Sequence, residues 1–197
     1  TSIELLKEVA VGHGPTSVCQ YKGSTYIGNK GGIVHRVDQA GNVVNDFIVH
    51  GNRWISGIAA FRDKLYLLIY KHKPTAHAVS VYDLEGQQCQ NWDIDDETTD
   101  FFRVFAVCDD SVILANRPKK EFQIYTLTGI LTRTVKCGLL SQSGVYLSQL
   151  EQNSVLISND DTQPKFFKVN VENGTVEWQS EGGTIADASP RGVAAYC

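Results

Sequence analysis

The sequence contains no methionine at any of its 197 positions. The simplest explanation is that the chain is a piece of a longer product, so we expect further segments outside it. No apolar run reaches the about 18 residues that a membrane-spanning helix needs. The first residues also lack the basic and apolar regions of a secretory signal. These absences predict a soluble domain.

Close cysteine pairs and an excess of positive charge are missing as well. The five cysteines are widely spaced and mostly lie in apolar, strand-like runs, which disfavours zinc binding and predicts buried free thiols: Cys19, Cys89, Cys108, Cys137 and Cys197. Free thiols are typical of a reducing compartment, so we expect a cytoplasmic location. The net charge of -4 disfavours nucleic-acid binding over the whole surface but leaves a local basic patch open.

Catalytic motifs are absent too. The chain has no HExxH, GxSxG or P-loop sequence, and its five histidines recur at no common position. We interpret the acidic run of Asp95, Asp96, Glu97 and Asp100 as a solvated loop, because its spacing does not fit a calcium loop. The sequence therefore predicts no catalytic residue, metal or cofactor, and no enzymatic activity in this chain.

What the sequence does contain is a repeat. Gly41, Gly86, Gly129 and Gly174 are separated by 45, 43 and 45 residues, and each lies between two strand-like runs. Such a glycine is typical of a hairpin turn that needs a positive φ. Two further strand-like runs precede the pair that flanks each glycine, so every unit holds four short strands. Four strands in a period of this length predict the blades of a β-propeller.

The repeat also predicts boundaries. We expect an outer strand of a preceding blade at 1–13, complete blades at 14–53, 54–100, 101–142 and 143–187, and the inner strand of a following blade at 188–197. Two strands of the flanking blade are then missing, so these residues should not close a ring alone. Either the missing strands lie outside the chain, or two copies associate through open blade edges.

The first unit resembles an NHL repeat, in the pattern that runs from Pro15 to Val44. Arg36, Val37, Asp38 and Gly41 match the closing phrase of that repeat, although Asn-His-Leu itself is absent. NHL propellers usually have six blades, and many form the C-terminal domain of tripartite-motif proteins behind a RING finger. The resemblance thus implies a six-bladed propeller of which this chain is a part, and any ubiquitin-ligase activity would belong to a RING domain outside it.

Basic residues concentrate in the connections expected at one face of the propeller. Lys71, His72 and Lys73 lie between the second and third strands of the second unit, and Arg117, Lys119 and Lys120 occupy the same place in the third. Arg53 and Trp54 lie at the connection between the first and second units and join this face. They are either ordinary solvated side chains or a docking face for an acidic peptide or a nucleic-acid backbone.

Three functions remain open after the sequence alone. The leading hypothesis, from the resemblance, is a protein-interaction module that recruits substrates for a tripartite-motif-like ubiquitin ligase. The alternative is single-stranded RNA binding, which some NHL propellers perform. A metal-dependent enzyme resembling the amidating lyase or the gluconolactonases is the third, but the predicted inner strands lack its metal ligands.

Overall fold

The computed structural model describes residues 8–12, 14–49, 53–72, 75–94, 105–108, 110–140, 145–151, 153–159 and 166–180. These residues form sixteen β-strands. Nowhere in these ranges does the chain form an apolar helix of membrane-spanning length.

Each sheet is an antiparallel meander of four consecutive strands. The first contains β1 (Pro15–Tyr21), β2 (Ser24–Asn29), β3 (Ile33–Val37) and β4 (Val43–Ile48). The second contains β5 (Trp54–Phe61), β6 (Lys64–His72), β7 (Thr75–Asp83) and β8 (Gln88–Ile94). The third contains β9 (Phe105–Cys108), β10 (Ser111–Asn116), β11 (Glu121–Thr126) and β12 (Leu131–Lys136), and the fourth contains β13 (Val145–Glu151), β14 (Ser154–Asn159), β15 (Phe166–Asn170) and β16 (Val176–Gln179). This architecture confirms the predicted four-stranded blades and the β-propeller fold class.

The turn between the third and fourth strands is built in the same way in every sheet. Its glycine has a positive φ, between 76° and 90° at Gly41, Gly86, Gly129 and Gly174. Three residues after each glycine the outer strand carries an extra residue opposite the third strand, at Val44, Cys89, Thr132 and Glu177. Such a bulge increases the local twist of a strand. The sequence period therefore corresponds to a repeated bend of the outer strand.

The first and second sheets form one compact unit, Thr1–Asp95. Their facing sides share a core in which Tyr26, Ile55, Leu65, Leu67 and Ile69 are almost fully buried. The inner strands lie close enough for polar contacts, since the Ser17 hydroxyl accepts a hydrogen bond from the Ile58 amide at 2.9 Å. Stacking is needed because a single sheet cannot bury both of its faces.

The third and fourth sheets form the second unit, Asp96–Cys197. Its core is drawn from both sheets, with Phe122 and Leu140 packed near Val155, Ile157 and Phe167. Every one of these side chains is buried. Burial of this kind is the main favourable contribution to the stability of such a sheet pair.

The strands differ from the predicted ones in the second sheet and near the start of the chain. β6 and β7 are nine residues each, so the second sheet extends farther than the sequence pattern indicates. Of the predicted outer strand at 1–13, residues 8–12 are described and form no strand. The predicted inner strand at 188–197, like the acidic run at 95–100, lies outside the described residues.

Candidate interaction surface

A tight loop joins β2 to β3 and carries the exposed Lys30. Asn29, the last residue of β2, is fully buried, and its side-chain oxygen accepts hydrogen bonds from the Gly31 and Ile33 amides, both at 2.9 Å. Gly32 has a φ of +74°, and a Cβ there would lie 2.8 Å from the Arg53 carbonyl oxygen. The loop therefore packs directly against the connection that leads into the second sheet.

A row of rings crosses the adjoining end of the second sheet. Trp54, Tyr70 and His77 face one another across β5, β6 and β7 in register. The Trp54 and Tyr70 ring centroids are 5.8 Å apart, and those of Tyr70 and His77 are 5.3 Å apart. The Lys30 Nζ lies 5.5 Å from the Trp54 ring centroid, within the range of a cation–π interaction. We call Lys30, Arg53 and Trp54 the Lys30–Trp54 surface, whereas the neighbouring Tyr70 is buried.

Arg53 adds a second cation beside Trp54 and is half-buried. Its guanidinium acts on the Tyr82 hydroxyl, where it offsets part of the rise that burial causes in the pKa of Tyr82. Arg53 thus lies between the loop that carries Lys30 and the buried contact of the two sheets. The surface combines two cations with a half-buried tryptophan on a rigid pair of sheets.

The predicted loop of Lys71, His72 and Lys73 is different in the structure. Lys71 and His72 are the last residues of β6 and pair with Ala76 and Thr75 of β7, so they belong to a strand and not to a loop. The longer hairpin explains the difference, because strand pairing continues past Tyr70. Lys73 lies outside the described residues.

The second predicted basic segment is a turn, as expected. Arg117–Lys120 connects β10 to β11, Lys120 has a φ of +51°, and its amide donates to the Arg117 carbonyl at 3.0 Å. The buried Asn116 accepts from the Lys119 amide at 3.1 Å, as Asn29 does for the first-sheet loop. This turn presents two exposed lysines, Lys119 and Lys120.

Sequence reasoning missed two lysines. Lys136 of β12 adjoins the third-sheet turn, where its Nζ lies 3.2 Å from the Lys119 carbonyl and 2.9 Å from the Glu121 carboxylate. Lys30 lies between the second and third strands of the first sheet. The same connection carries the predicted basic residues of the second and third sheets, so the repeat register could have found Lys30. Lys136 had no such signal. The placement of the basic segments of the second and third sheets side by side stays a prediction.

In the described ranges no three His, Cys, Asp or Glu side chains converge as they would on a metal ion. His35 belongs to a polar cluster in which its ring nitrogens lie 2.7 Å from Asp46 and 3.2 Å from the fully buried Asn29. These contacts anchor a loop, and the cluster offers no nucleophile beside the histidine.

The described free cysteines differ in their environment, which gives a first prediction. Burial raises the pKa of Cys19 to about 12 and also raises that of the buried Cys137, whereas Cys89 is exposed on β8. Because the thiolate is the reactive form, Cys89 should react with iodoacetamide at pH 8 at least about tenfold faster than Cys19 or Cys137. Peptide mass mapping against time measures this, and equal rates at the three sites would contradict it. The exposure of Cys89 corrects the expectation of a buried thiol there.

Comparison with known proteins places this geometry in a fold class. No protein-family model matches the sequence, and no curated protein matches it. Among solved structures, a Bacteroides caccae protein of unknown function is similar, with a TM-score of 0.65 and 12% identity over 86% of this chain and 61% of that one. The Neurospora crassa Pan2 WD40 domain has a TM-score of 0.61 and 10% identity over 85% of this chain and 50% of that one.

A glutaminyl cyclase from Myxococcus xanthus is similar too, with a TM-score of 0.66 and 12% identity over 92% of this chain and 82% of that one. This chain spans less than two thirds of the Bacteroides caccae protein and of the Pan2 domain. At these identities the likeness shows the fold alone. The fold is that of a β-propeller, the class to which WD40 domains belong, and the NHL resemblance stays a prediction.

Proposed function

We propose that this protein is an interaction module that binds acidic protein segments through the Lys30–Trp54 surface. The observation that carries the proposal is the half-buried Trp54, flanked by Arg53 in the chain and covered by the Lys30 ammonium at 5.5 Å. Tryptophan and arginine are enriched among residues that dominate binding energies, and tryptophan buries a large area at low conformational cost. Loops on stacked sheets are common sites of such function.

The NHL resemblance suggests a finer hypothesis. It supports a substrate-recruiting propeller of a tripartite-motif-like ubiquitin ligase, in which an acidic segment of the substrate docks while a RING domain elsewhere in the protein performs catalysis. Arg36, Val37, Asp38 and Gly41 support it in the sequence. Expression of the complete reading frame and an assay for ubiquitin chain formation would test this role, which fails if the complete protein has no RING domain.

Binding to defined peptides tests the proposed surface directly. Acidic peptides and basic peptides of equal length are titrated against the protein, and only the acidic set should bind. We expect Lys30→Glu and Trp54→Ala each to weaken binding about tenfold or more, because loss of a charge-assisted contact or an aromatic anchor costs about 1.5–3 kcal/mol. Isothermal titration gives the affinities.

Matched control variants exist in the same chain. Arg62→Glu changes the same charge in the β5–β6 turn, at the other end of that hairpin. Trp178→Ala removes a tryptophan that is 53% exposed on β16. Both should bind the acidic peptides normally. Equal losses in Lys30→Glu and Arg62→Glu would show that net charge alone attracts the peptides, and the proposed surface would then be wrong.

Single-stranded RNA is a second candidate ligand. The half-buried Trp54 lies beside two cations, and proteins that bind single strands combine aromatic stacking with positive charge. An RNA site predicts that the affinity for a mixed-sequence 20-nucleotide RNA falls steeply as salt rises, with about one counterion released for each phosphate neutralised. Absence of RNA binding at low salt, with acidic peptides still bound, would remove this candidate.

A further inference from the structure

We infer that Asn29, His35 and Asp46 form a positioning device that holds the Lys30 ammonium over Trp54. The inference deepens the proposed function and rests on it only where ligand binding is concerned. The three side chains lie on successive strands of the first sheet, at the end of β2, in the middle of β3 and near the end of β4. None of them contacts a ligand in this proposal, since each acts through the loop that carries Lys30.

A chain of hydrogen bonds links the loop to Asp46 through Asn29 and His35. The His35 Nδ1 lies 2.7 Å from an Asp46 carboxylate oxygen, and its Nε2 lies 3.2 Å from the Asn29 amide nitrogen. The Asn29 side-chain oxygen accepts hydrogen bonds from the Gly31 amide, inside the loop, and from the Ile33 amide, at the start of β3. The same amide nitrogen of Asn29 lies 3.4 Å from the Gly12 carbonyl.

These partners fix every donor and acceptor. Because the Asn29 oxygen receives two backbone N–H groups, its NH₂ group must face His35. The His35 Nε2 must then be the acceptor, and its Nδ1 carries the proton that the Asp46 carboxylate accepts. Asp46 thus selects the imidazole tautomer, and the imidazole selects the orientation of the Asn29 amide. A side chain that could rotate freely at position 29 would leave the loop amides without this anchor.

The loop has little freedom once Asn29 is fixed. The Lys30 amide donates to the Gly14 carbonyl at 3.2 Å, and the Gly32 carbonyl accepts from Val49 at 2.7 Å. Gly32 lies so close to the Arg53 carbonyl that a Cβ would approach it to 2.8 Å. Lys30 is therefore carried by a loop tied to both neighbouring connections, and its ammonium is placed on the Trp54 ring before any ligand arrives. Such preorganisation reduces the entropy lost on binding.

The third sheet supplies a natural control for this device. Asn116 ends β10 as Asn29 ends β2, is fully buried, and accepts from the Lys119 amide. Six residues before the turn glycine, where the first sheet has His35, the third has the buried Gln123. Asn116→Ala therefore removes the same kind of loop anchor in the other compact unit and leaves the Lys30–Trp54 surface intact.

Fluorescence of Trp54 tests the inference without a ligand. Trp92→Phe and Trp178→Phe leave Trp54 as the single tryptophan of the chain. In this background Lys30→Gln and Asn29→Ala should each raise the acrylamide quenching constant of Trp54 about twofold. Because an exposed cation–π contact is weak, either change should release the contact and uncover one face of the Trp54 ring to the quencher. The double variant should show no further rise, since contacts in one chain of interactions are not additive. Asn116→Ala should leave the quenching constant unchanged.

A conservative replacement of His35 distinguishes a positioning role from a general contribution to stability. His35→Gln keeps an acceptor near the Asn29 amide and should retain the parent quenching, whereas His35→Leu should behave like Asn29→Ala. If Asn29→Ala lowers the unfolding temperature but not the protection of Trp54, Asn29 is only a structural cap and the inference is wrong. Additive effects of Asn29→Ala and Lys30→Gln would overturn it too.

Acidic-peptide affinity of the same variants distinguishes this inference from the proposed function. If Asn29→Ala uncovers Trp54 while Lys30→Gln leaves peptide binding intact, the positioning device stands and the proposed ligand is wrong. If Lys30→Gln weakens peptide binding while Asn29→Ala changes neither peptide affinity nor quenching, the ligand stands and the positioning device is wrong.

Discussion

Replacing Gly174 with alanine is expected to lower the free energy of unfolding of the second unit by more than about 2 kcal/mol. Gly174 has a φ of +76°, a conformation that side chains other than glycine rarely adopt. A Cβ at this position would also overlap the carbonyl oxygen of Lys136 in β12. Because that oxygen belongs to the backbone of a strand, the overlap cannot be relieved by a change of rotamer.

Urea denaturation followed through tryptophan fluorescence measures the effect, with Trp178 in the same unit as a reporter. Gly138→Ala is the matched control, since a Cβ there would have no heavy atom within 4 Å. That variant should change the free energy of unfolding by no more than about 0.5 kcal/mol. Equal losses in the two variants would contradict the role assigned to the Gly174 turn.

Phe122→Ala is expected to have the largest effect on stability, a loss of about 3–5 kcal/mol. Phe122 lies on β11 with none of its surface exposed, in the core that the third and fourth sheets share. Its removal forfeits the transfer free energy of the ring and leaves a cavity, because side chains from both sheets fix the walls of that space. The urea midpoint should fall with the slope of the transition unchanged.

Leu131→Ala on the adjoining outer strand is the control for this substitution. Leu131 is 48% exposed, so its truncation should cost no more than about 1 kcal/mol. If Phe122→Ala were as mild as Leu131→Ala, the third sheet would not pack on the fourth through its β11 side chains. A circular dichroism spectrum that retains its β-sheet form would confirm that the variant is destabilised and not misassembled.

The sequence predicted the fold through its turns. A glycine before each outer strand, at a period of about 44 residues, marked a turn that needs a positive φ. The sequence also has a short β-rich run after a polar turn in these units, and the structure has strands with the same limits at Ser24–Asn29, Ser111–Asn116 and Ser154–Asn159. The prediction was wrong at Lys71 and His72, because continued backbone pairing between β6 and β7 leaves no mark in the hydrophobic pattern.

The candidate surface was only half predictable. Arg53 and Trp54 stood out as a basic and an aromatic residue in one connection, and Lys119 and Lys120 as a basic pair in a turn. Lys30 did not stand out, because a single lysine between Asn29 and Gly31 forms no basic cluster, and only its place in the repeat could have drawn attention to it. Its importance comes from the distance between its ammonium and a ring on another sheet, 24 positions later in the chain.

The sequence by itself determined the repeat, the four-stranded unit and the turns, because these depend on local backbone conformation and on alternation within one strand. The tertiary structure alone decided what each turn contacts. The glycine at the β7–β8 turn faces the Phe47 ring of the preceding sheet, and the one at the β15–β16 turn faces the Lys136 backbone. Those contacts, like the placement of Lys30 over Trp54, depend on how one sheet stacks on the next, and no spacing along the chain specifies that.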